Sequence, residues 1–490
     1  MKILLVHPAP FEEMRVGLEN TVWRSEPVAL TSIASMVIPE HEVQILDLRL
    51  ESTEALPKVL QEWRPDLVGT TAMTTDAYQA LSVLYCARQI LPEALTIIGG
   101  HHPTLTPEYF RKPYVDMMVK GEGEHVFRDI CEIWKNVDGH DLSVFKGLAG
   151  TELRQGDEWV DQGKSPWIPD LDALPAPARH LIEKYHGEYF YIVARPLASI
   201  FTSRGCSFDC NFCAIWEFYE RKTRYLSASV IADRMEQCEE DFVFLLDDNF
   251  LSRTDRLWAL ADEIERRGIK KYWMSQGRAD FVAKNPDLIK RLAEVGLRGL
   301  LSGYESNSQD SLDFLRKRCN VDANMAASRI LRENGVISTA LFMVRPEFEE
   351  KDFDGLYDYI REMGVAIPLV SIQTPLPGTE LWRMSKDKLL TEDFRLFDLS
   401  HAVVETKLPR DEFYRQYVRF GDVQNQSVRR WFTPFRILRD WDFYRRLIPR
   451  VPEFMKRRAA FRAVVFNPKS YLRDEEGIIP SRVREGVAAK

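Results

Sequence analysis

Arg204-Gly205-Cys206-Ser207-Phe208-Asp209-Cys210-Asn211-Phe212-Cys213 follows directly on a short apolar run, Ala198–Thr202, that reads as a strand. Three cysteines fall within eight residues, at gaps of three and two. The other four, Cys86, Cys131, Cys238 and Cys319, stand alone in helix-like sequence and read as core filler. A structural zinc site usually takes four ligands, and no second cysteine pair exists to complete one. Three thiolates on one loop can instead hold three irons of a cubane and leave the fourth without a protein ligand. A zinc site or three chance cysteines are the bland alternatives.

Outward from this loop the chain alternates strand and helix. Strands are predicted at Ala198–Thr202, Phe242–Leu246, Tyr272–Gln276, Gly299–Gly303, Thr339–Val344 and Val370–Gln373. Between the second and third, Leu257, Leu260, Ala261 and Ile264 repeat at helical spacing. Six such units predict a parallel α/β barrel, partial or full, over residues 196–395. Upstream, residues 1–135 carry five strand candidates: Lys2–His7, Glu42–Leu48, Asp66–Thr71, Leu95–Gly100 and Met117–Lys120. Runs of Val, Ile and Leu like these suit strands buried on both faces, hence an α/β doubly wound (flavodoxin-like) domain with its ligand at the carboxyl ends of the strands. Those ends are polar or glycine-rich: Thr70 and Thr71, Gly99-Gly100-His101-His102, and Gly121-Glu122-Gly123-Glu124. Residues 136–195, broken by Pro166, Pro169, Pro175 and Pro177, read as a linker, and residues 396–490 as a helical C-terminal region.

At 490 residues two or three domains are expected. No apolar run is long enough to span a bilayer, and Met1–Pro8 is too short for a signal peptide, so a cytoplasmic, reducing setting is the expectation. The net charge of −8 conceals a reversal: residues 428–462 hold eleven Arg or Lys against Asp440, Asp442 and Glu453. This segment is +8, which leaves the rest at −16. Arg429, Arg430, Arg436, Arg439, Arg445, Arg446 and Arg450 are interleaved there with Trp431, Phe432, Phe435, Trp441, Phe443 and Tyr444. Basic aromatic helices can rest on anionic lipid, or can cap the barrel with their aromatics turned inward. Nucleic acid is disfavoured because the basic charge is confined to one segment of an acidic chain.

The CxxxCxxC spacing after a first barrel strand resembles the radical S-adenosylmethionine (SAM) superfamily. That resemblance implies a [4Fe–4S] cluster on Cys206, Cys210 and Cys213, with SAM chelating the fourth iron and Phe212 covering the cluster and adenine. It also implies SAM contacts from Asp247, Asp248 and Asn249 after the second strand, and from Gln276 and Arg278 after the third. Gly303, Glu305 and Ser306 after the fourth resemble a ribose-contacting motif. Tyr304 and Glu305 are the first candidates for contacts at the reacting centre.

A doubly wound domain ahead of such a barrel resembles the cobalamin-dependent branch. It implies a corrin against Thr70, Thr71, Gly99, Gly100, Gly121, Glu122 and Gly123. No Asp-x-His-x-x-Gly motif is present, so no lower axial histidine is expected. The segments Asp170–Pro175, Cys213–Phe218, Thr374–Thr379 and Leu396–His401 are similar to the hopanoid C-3 methylases. The resemblance implies methyl transfer to an unactivated sp3 carbon of a polycyclic terpenoid lipid, with a reductase or flavodoxin as electron donor. Ring formation or rearrangement without methyl transfer, and a non-catalytic cobalamin- or redox-sensing module, are the alternatives.

Overall fold

A computed structural model of the chain describes residues 1–9 and 22–480. The first sheet runs in the spatial order Glu42–Asp47, Lys2–His7, Leu67–Thr71, Leu95–Gly99, Met117–Val119, Thr151–Gln155, Glu158–Asp161. The first five strands are parallel and the last two antiparallel. Ile3, Leu4, Leu5 and Val6 are all fully buried, as a strand covered on both faces requires. Helices Ala55–Trp63 and Ala77–Ile90 cover one face, and Val28–Ser35 and Glu124–Trp134 the other. The order reverses between Lys2–His7 and Leu67–Thr71, and in an open parallel sheet a ligand sits at that switch point.

The hairpin Thr151–Asp161 lies where the sequence predicted a linker. Its two-residue turn, Gly156-Asp157, is the composition such turns favour. The rest of the 162–196 segment is also fixed. Ala178 N–H donates to Thr31 O (2.9 Å), and Tyr189 Oη donates to Asp47 (3.2 Å). Arg179 bridges Glu26 and Glu240, each at 2.7 Å. The segment is mortar between the two halves rather than a tether.

The second sheet has six parallel strands in chain order: Leu197–Ile200, Phe242–Leu245, Tyr272–Gln276, Leu297–Glu305, Ile337–Val344 and Ile367–Ile372. First and last strands do not pair, so the barrel is open. One core fills the layer between strands and outer helices, with Ile200, Leu245, Trp273, Leu300 and Phe342. Another occupies the barrel interior, where Tyr191, Phe244, Met274, Ile337 and Leu369 join the face of the first sheet. The C-terminal region is helical, with Arg410–Val418, Phe420–Trp431, Pro434–Arg439, Trp441–Leu447, Val451–Val465 and Pro468–Asp474. It is anchored by the buried Arg410–Glu475 pair and by Trp431, Phe443 and Tyr444 packing inward. No described helix is long and apolar enough to cross a membrane.

Candidate functional site

Between the first barrel strand and the cysteines the chain turns sharply. Ser203–Arg204 pairs antiparallel with Arg224–Tyr225, and Gly205 adopts φ +88°. A Cβ there would collide with the Lys222 carbonyl oxygen, so only glycine lets the loop enter. The loop is then pinned from several sides. Cys213 N–H donates to Cys210 O (3.1 Å), as does Trp216 Nε1 (2.8 Å). Asn211 Nδ2 donates to Phe314 O (2.7 Å), and Leu381 N–H donates to Asn211 O (2.8 Å). The Arg278 guanidinium lies 3.6 Å from the Phe208 ring centre.

None of the three thiols is in a disulfide. Burial pushes the Cys206 thiol up, and pushes Cys213 up to about 12. Buried thiols of this kind are inert until a metal displaces their protons. Three thiols carried on one pinned loop, with no fourth cysteine beside them, suit three corners of a cluster.

The acidic pair after the second strand divides in role. Asp247 is fully buried and spends its carboxylate on the loop, accepting from Thr202 N–H (2.6 Å), Ser203 N–H (2.9 Å), Ser203 Oγ (2.7 Å) and Thr202 Oγ1. It braces the approach to Cys206. Among the described residues Asp248 accepts only the Gly205 N–H (2.8 Å), and burial raises its carboxyl to about 6. Its capacity for a cationic partner is therefore unspent. Asn249 is buried with its Oδ1 lacking a partner, and Gln276 is half-buried at the end of the third strand.

At the fourth strand the structure parts residues that the sequence had grouped. Successive strand residues point to opposite faces. Tyr304 faces the outer layer, fully buried, stacked on Phe342 with its hydroxyl 3.4 Å from Ser338 Oγ. The expected contact of Tyr304 with the reacting centre is thus corrected: its ring is core. Glu305, at φ +61°, bends back over Gly303 to an ion pair with Lys317 (2.7 Å). Any Cβ at Gly303 would occupy the space of that carboxylate. Lys317 is buried, and although burial works against its charge, Glu305 holds its pKa above the ordinary value. No sequence signal marked Lys317. Ser306 is buried, with its Oγ accepting from Ser308 N–H (3.1 Å). Arg278 pairs with Asp280 (2.8 Å) and also donates to Lys317 O. Phe212 is half-buried between two of the cysteines.

The ligand ends of the two sheets face one another across a cavity. From the first domain Thr70, Thr71, Gly99, Gly100, Gly121, Glu122 and Gly123 all line it. From the barrel come Phe201, Ser203, Arg204, Leu246 and Asp248, with Phe218 and Tyr219 from the helix after the cysteines. The glycines leave the first-domain wall low, as a large flat ring system needs. Thr70 Oγ1 is committed to Val6 O (2.9 Å).

Glu122 proves to be a tie between domains. It pairs with Arg204 (2.8 Å) and Arg224 (2.7 Å) and accepts the Ile168 N–H (2.9 Å). Burial works to raise its carboxyl, but hydrogen bonds from Arg224 and the charge of Arg204 hold it below the usual range. Glu124 also pairs with Arg204. The cysteine loop is thereby latched to the Gly121–Glu124 turn. Sequence spacing gave no hint of this, since the partners lie about eighty residues apart. His7 and His101 also line the cavity; burial holds His101 down at about 4, so it is neutral, with its ring 4.4 Å from that of Phe218.

Comparison with known proteins agrees with this architecture. Residues 14–131 match the B12 binding domain and residues 200–360 the radical SAM superfamily. The chain is 29% identical to the hopanoid C-3 methylase of Methylococcus capsulatus, over 88% of this chain and 81% of that protein. It is 28% identical to the anaerobic magnesium-protoporphyrin IX monomethyl ester cyclase of Cereibacter sphaeroides, over 73% and 59%. The solved structure of the cobalamin-dependent SAM radical enzyme OxsB, with aqua-cobalamin and SAM bound, superposes with a TM-score of 0.67 at 16% identity, over 97% of this chain and 74% of that one. That likeness is one of fold.

Proposed function

We propose that this chain, with its B12-binding and radical SAM domains, is a cobalamin-dependent methyltransferase that methylates an unactivated sp3 carbon of a hydrophobic polycyclic substrate, a hopanoid at C-3. The carrying observation is the single cavity bounded by the carboxyl ends of both sheets, because a methyl donor on one wall and a hydrogen-abstracting centre on the other would then reach the same substrate carbon. When bound, the [4Fe–4S] cluster with SAM supplies a radical able to take hydrogen from carbon, and cobalamin supplies the methyl group.

The residues of the chain hold and orient. Cys206, Cys210 and Cys213 would carry the cluster on a loop that Asp247, Asn211 and Trp216 keep rigid. Asp248, Asn249, Gln276 and Arg278 would receive the polar groups of SAM, with the unspent Asp248 carboxylate meeting its cationic amino group. Glu305, fixed by Lys317, and Ser306 would hold the ribose. Thr71, Gly99, Gly100, Gly121 and Gly123 would line the corrin face. Leu5, Leu30, Ile33, Phe127, Phe201 and Leu246 give the space an apolar lining that suits a terpenoid and excludes water. No side chain is needed as a general acid or base.

Anaerobic turnover of reconstituted protein with SAM, hydroxocobalamin, reductant and a hopanoid tests this by mass spectrometry. Equal deoxyadenosine and S-adenosylhomocysteine, with a product one methylene heavier, is the expected result. Likeness to the cyclase supports a second reading, ring formation without methyl transfer. It would give deoxyadenosine and no S-adenosylhomocysteine.

A further inference from the structure

A second cavity lies at the amino end of the barrel. Ile192, Val193 and Ile367 wall one side, and Phe432, Leu447 and Phe454 of the C-terminal helices wall the other. It is separate from the site above: Tyr191, Phe244, Met274 and Ile337 fill the barrel interior between this end and the cysteine loop. Its lining is apolar except for Gln424, Tyr444 and Arg458. Gln424 spends its amide on Pro368 O (3.2 Å), and Arg458 bonds Asn425. The chamber therefore offers a ligand hydrocarbon contact and one cation.

The cavity reaches the surface. Ile448, Val451 and Met455 line it and are 47%, 40% and 51% exposed. On the two preceding helices Phe435, Leu438 and Trp441 are 74%, 71% and 50% exposed. Large apolar side chains gathered in this way mark a binding face. Cations flank it. Arg445, Arg446 and Arg457 are paired with Asp442, Asp241 and Glu453. Arg450 and Lys456, at either end of the exposed Val451–Met455 rim, have no acidic group at ion-pair distance among the described residues. The side chain of Arg430 lies outside the described residues.

We propose that this cavity binds the apolar body of one amphiphilic lipid, taken from an anionic bilayer on which the Phe435–Met455 face docks. Apolar side chains at the mouth would enter the acyl boundary while Arg450 and Lys456 meet the headgroups. The site does not rest on the methyl-transfer reading, because it lies at the other end of the barrel.

The test uses the full-length reconstituted protein. Flotation with phosphatidylcholine vesicles, with and without phosphatidylglycerol, reads docking; quenchable binding of a dansylated fatty acid reads the cavity. Binding to anionic vesicles that weakens with salt is expected, with a loss of about fivefold for each cation removed in Arg450→Gln and Lys456→Gln. Val451→Trp should abolish probe binding while keeping iron content and circular dichroism unchanged, and Met455→Trp repeats the test one turn along the helix. No flotation with anionic vesicles at low salt overturns the proposal. So does probe binding that survives both tryptophan variants, and so does probe binding without vesicle binding. Failure of hopanoid methylation would leave these readouts unmoved.

Discussion

The two cavities share one barrel but are built on opposite terms. At the carboxyl end the walls carry Asp248, Glu122, Glu124 and Arg204, with glycines where backbone must stay low. At the amino end, among the described residues, Arg458 is the one charged group in a wall that is apolar apart from Gln424 and Tyr444. A buried charge must be paired or coordinated, so the first cavity demands a precise network of partners. An apolar wall demands only shape and tolerates many occupants. The difference is the one expected between a site that orients cofactors and the lipid-accepting surface proposed above.

Removing a cysteine should break the comparison most completely. Cys210→Ala should lose the cluster and all deoxyadenosine formation, read by iron content and by mass spectrometry, yet float with anionic vesicles as the parent does. Loss of vesicle binding in the same variant would join the two ends that the structure keeps apart.

Next in size is the latch between domains. Glu122→Ala leaves the half-buried Arg204 and Arg224 without their shared partner, and the cost should approach the about 3–5 kcal/mol of breaking a fully buried pair without reaching it. Urea unfolding should register it, and cobalamin retention should fall with it. An equally stable variant would mean that Glu124 alone suffices for Arg204.

Asp248 sharpens the contrast through pH. Its folded pKa, about 6, lies above the ordinary 3.8, so the folded state holds the proton more tightly than the unfolded one. The stability this contributes is present below pH 3.8 and is lost as pH rises through 6, by up to about 3 kcal/mol. Between pH 5 and 7 the cluster-free protein should therefore lose stability relative to Asp248→Asn, as measured by urea unfolding. A constant difference across that range would place the carboxyl in a wetter setting.

The smallest effect belongs to Tyr304. Tyr304→Phe removes one long hydrogen bond to Ser338 from a packed layer and should cost under about 1 kcal/mol. Yield of methylated product should not change. A large loss of turnover without loss of stability would return Tyr304 to the reacting centre.

The parallel strands of both sheets were legible because each is a short, strongly apolar run followed by glycine or polar residues. The hairpin Thr151–Asp161 was not, because its outer strand is mostly exposed and lacks that pattern, although Gly156-Asp157 carried the turn signal. Among site residues, type and local spacing singled out the cysteines. They did not distinguish Asp247 from Asp248, since two adjacent aspartates differ only in what each meets after folding. Nor did they place Tyr304, where strand alternation turned one residue of the Gly303–Ser306 run outward. The C-terminal aromatics split likewise: Trp431, Phe443 and Tyr444 face the core while Phe435 and Trp441 face out.

By itself the sequence determined the two α/β units, the three-thiol loop and the charge reversal near the C-terminus, because each is written in residues close together in the chain. Only the tertiary structure decided that Glu122 latches the cysteine loop, that Lys317 fixes Glu305, and that the barrel has a cavity at each end. Those contacts join residues from a dozen to more than two hundred positions apart, and their energies depend on burial, which no local pattern specifies.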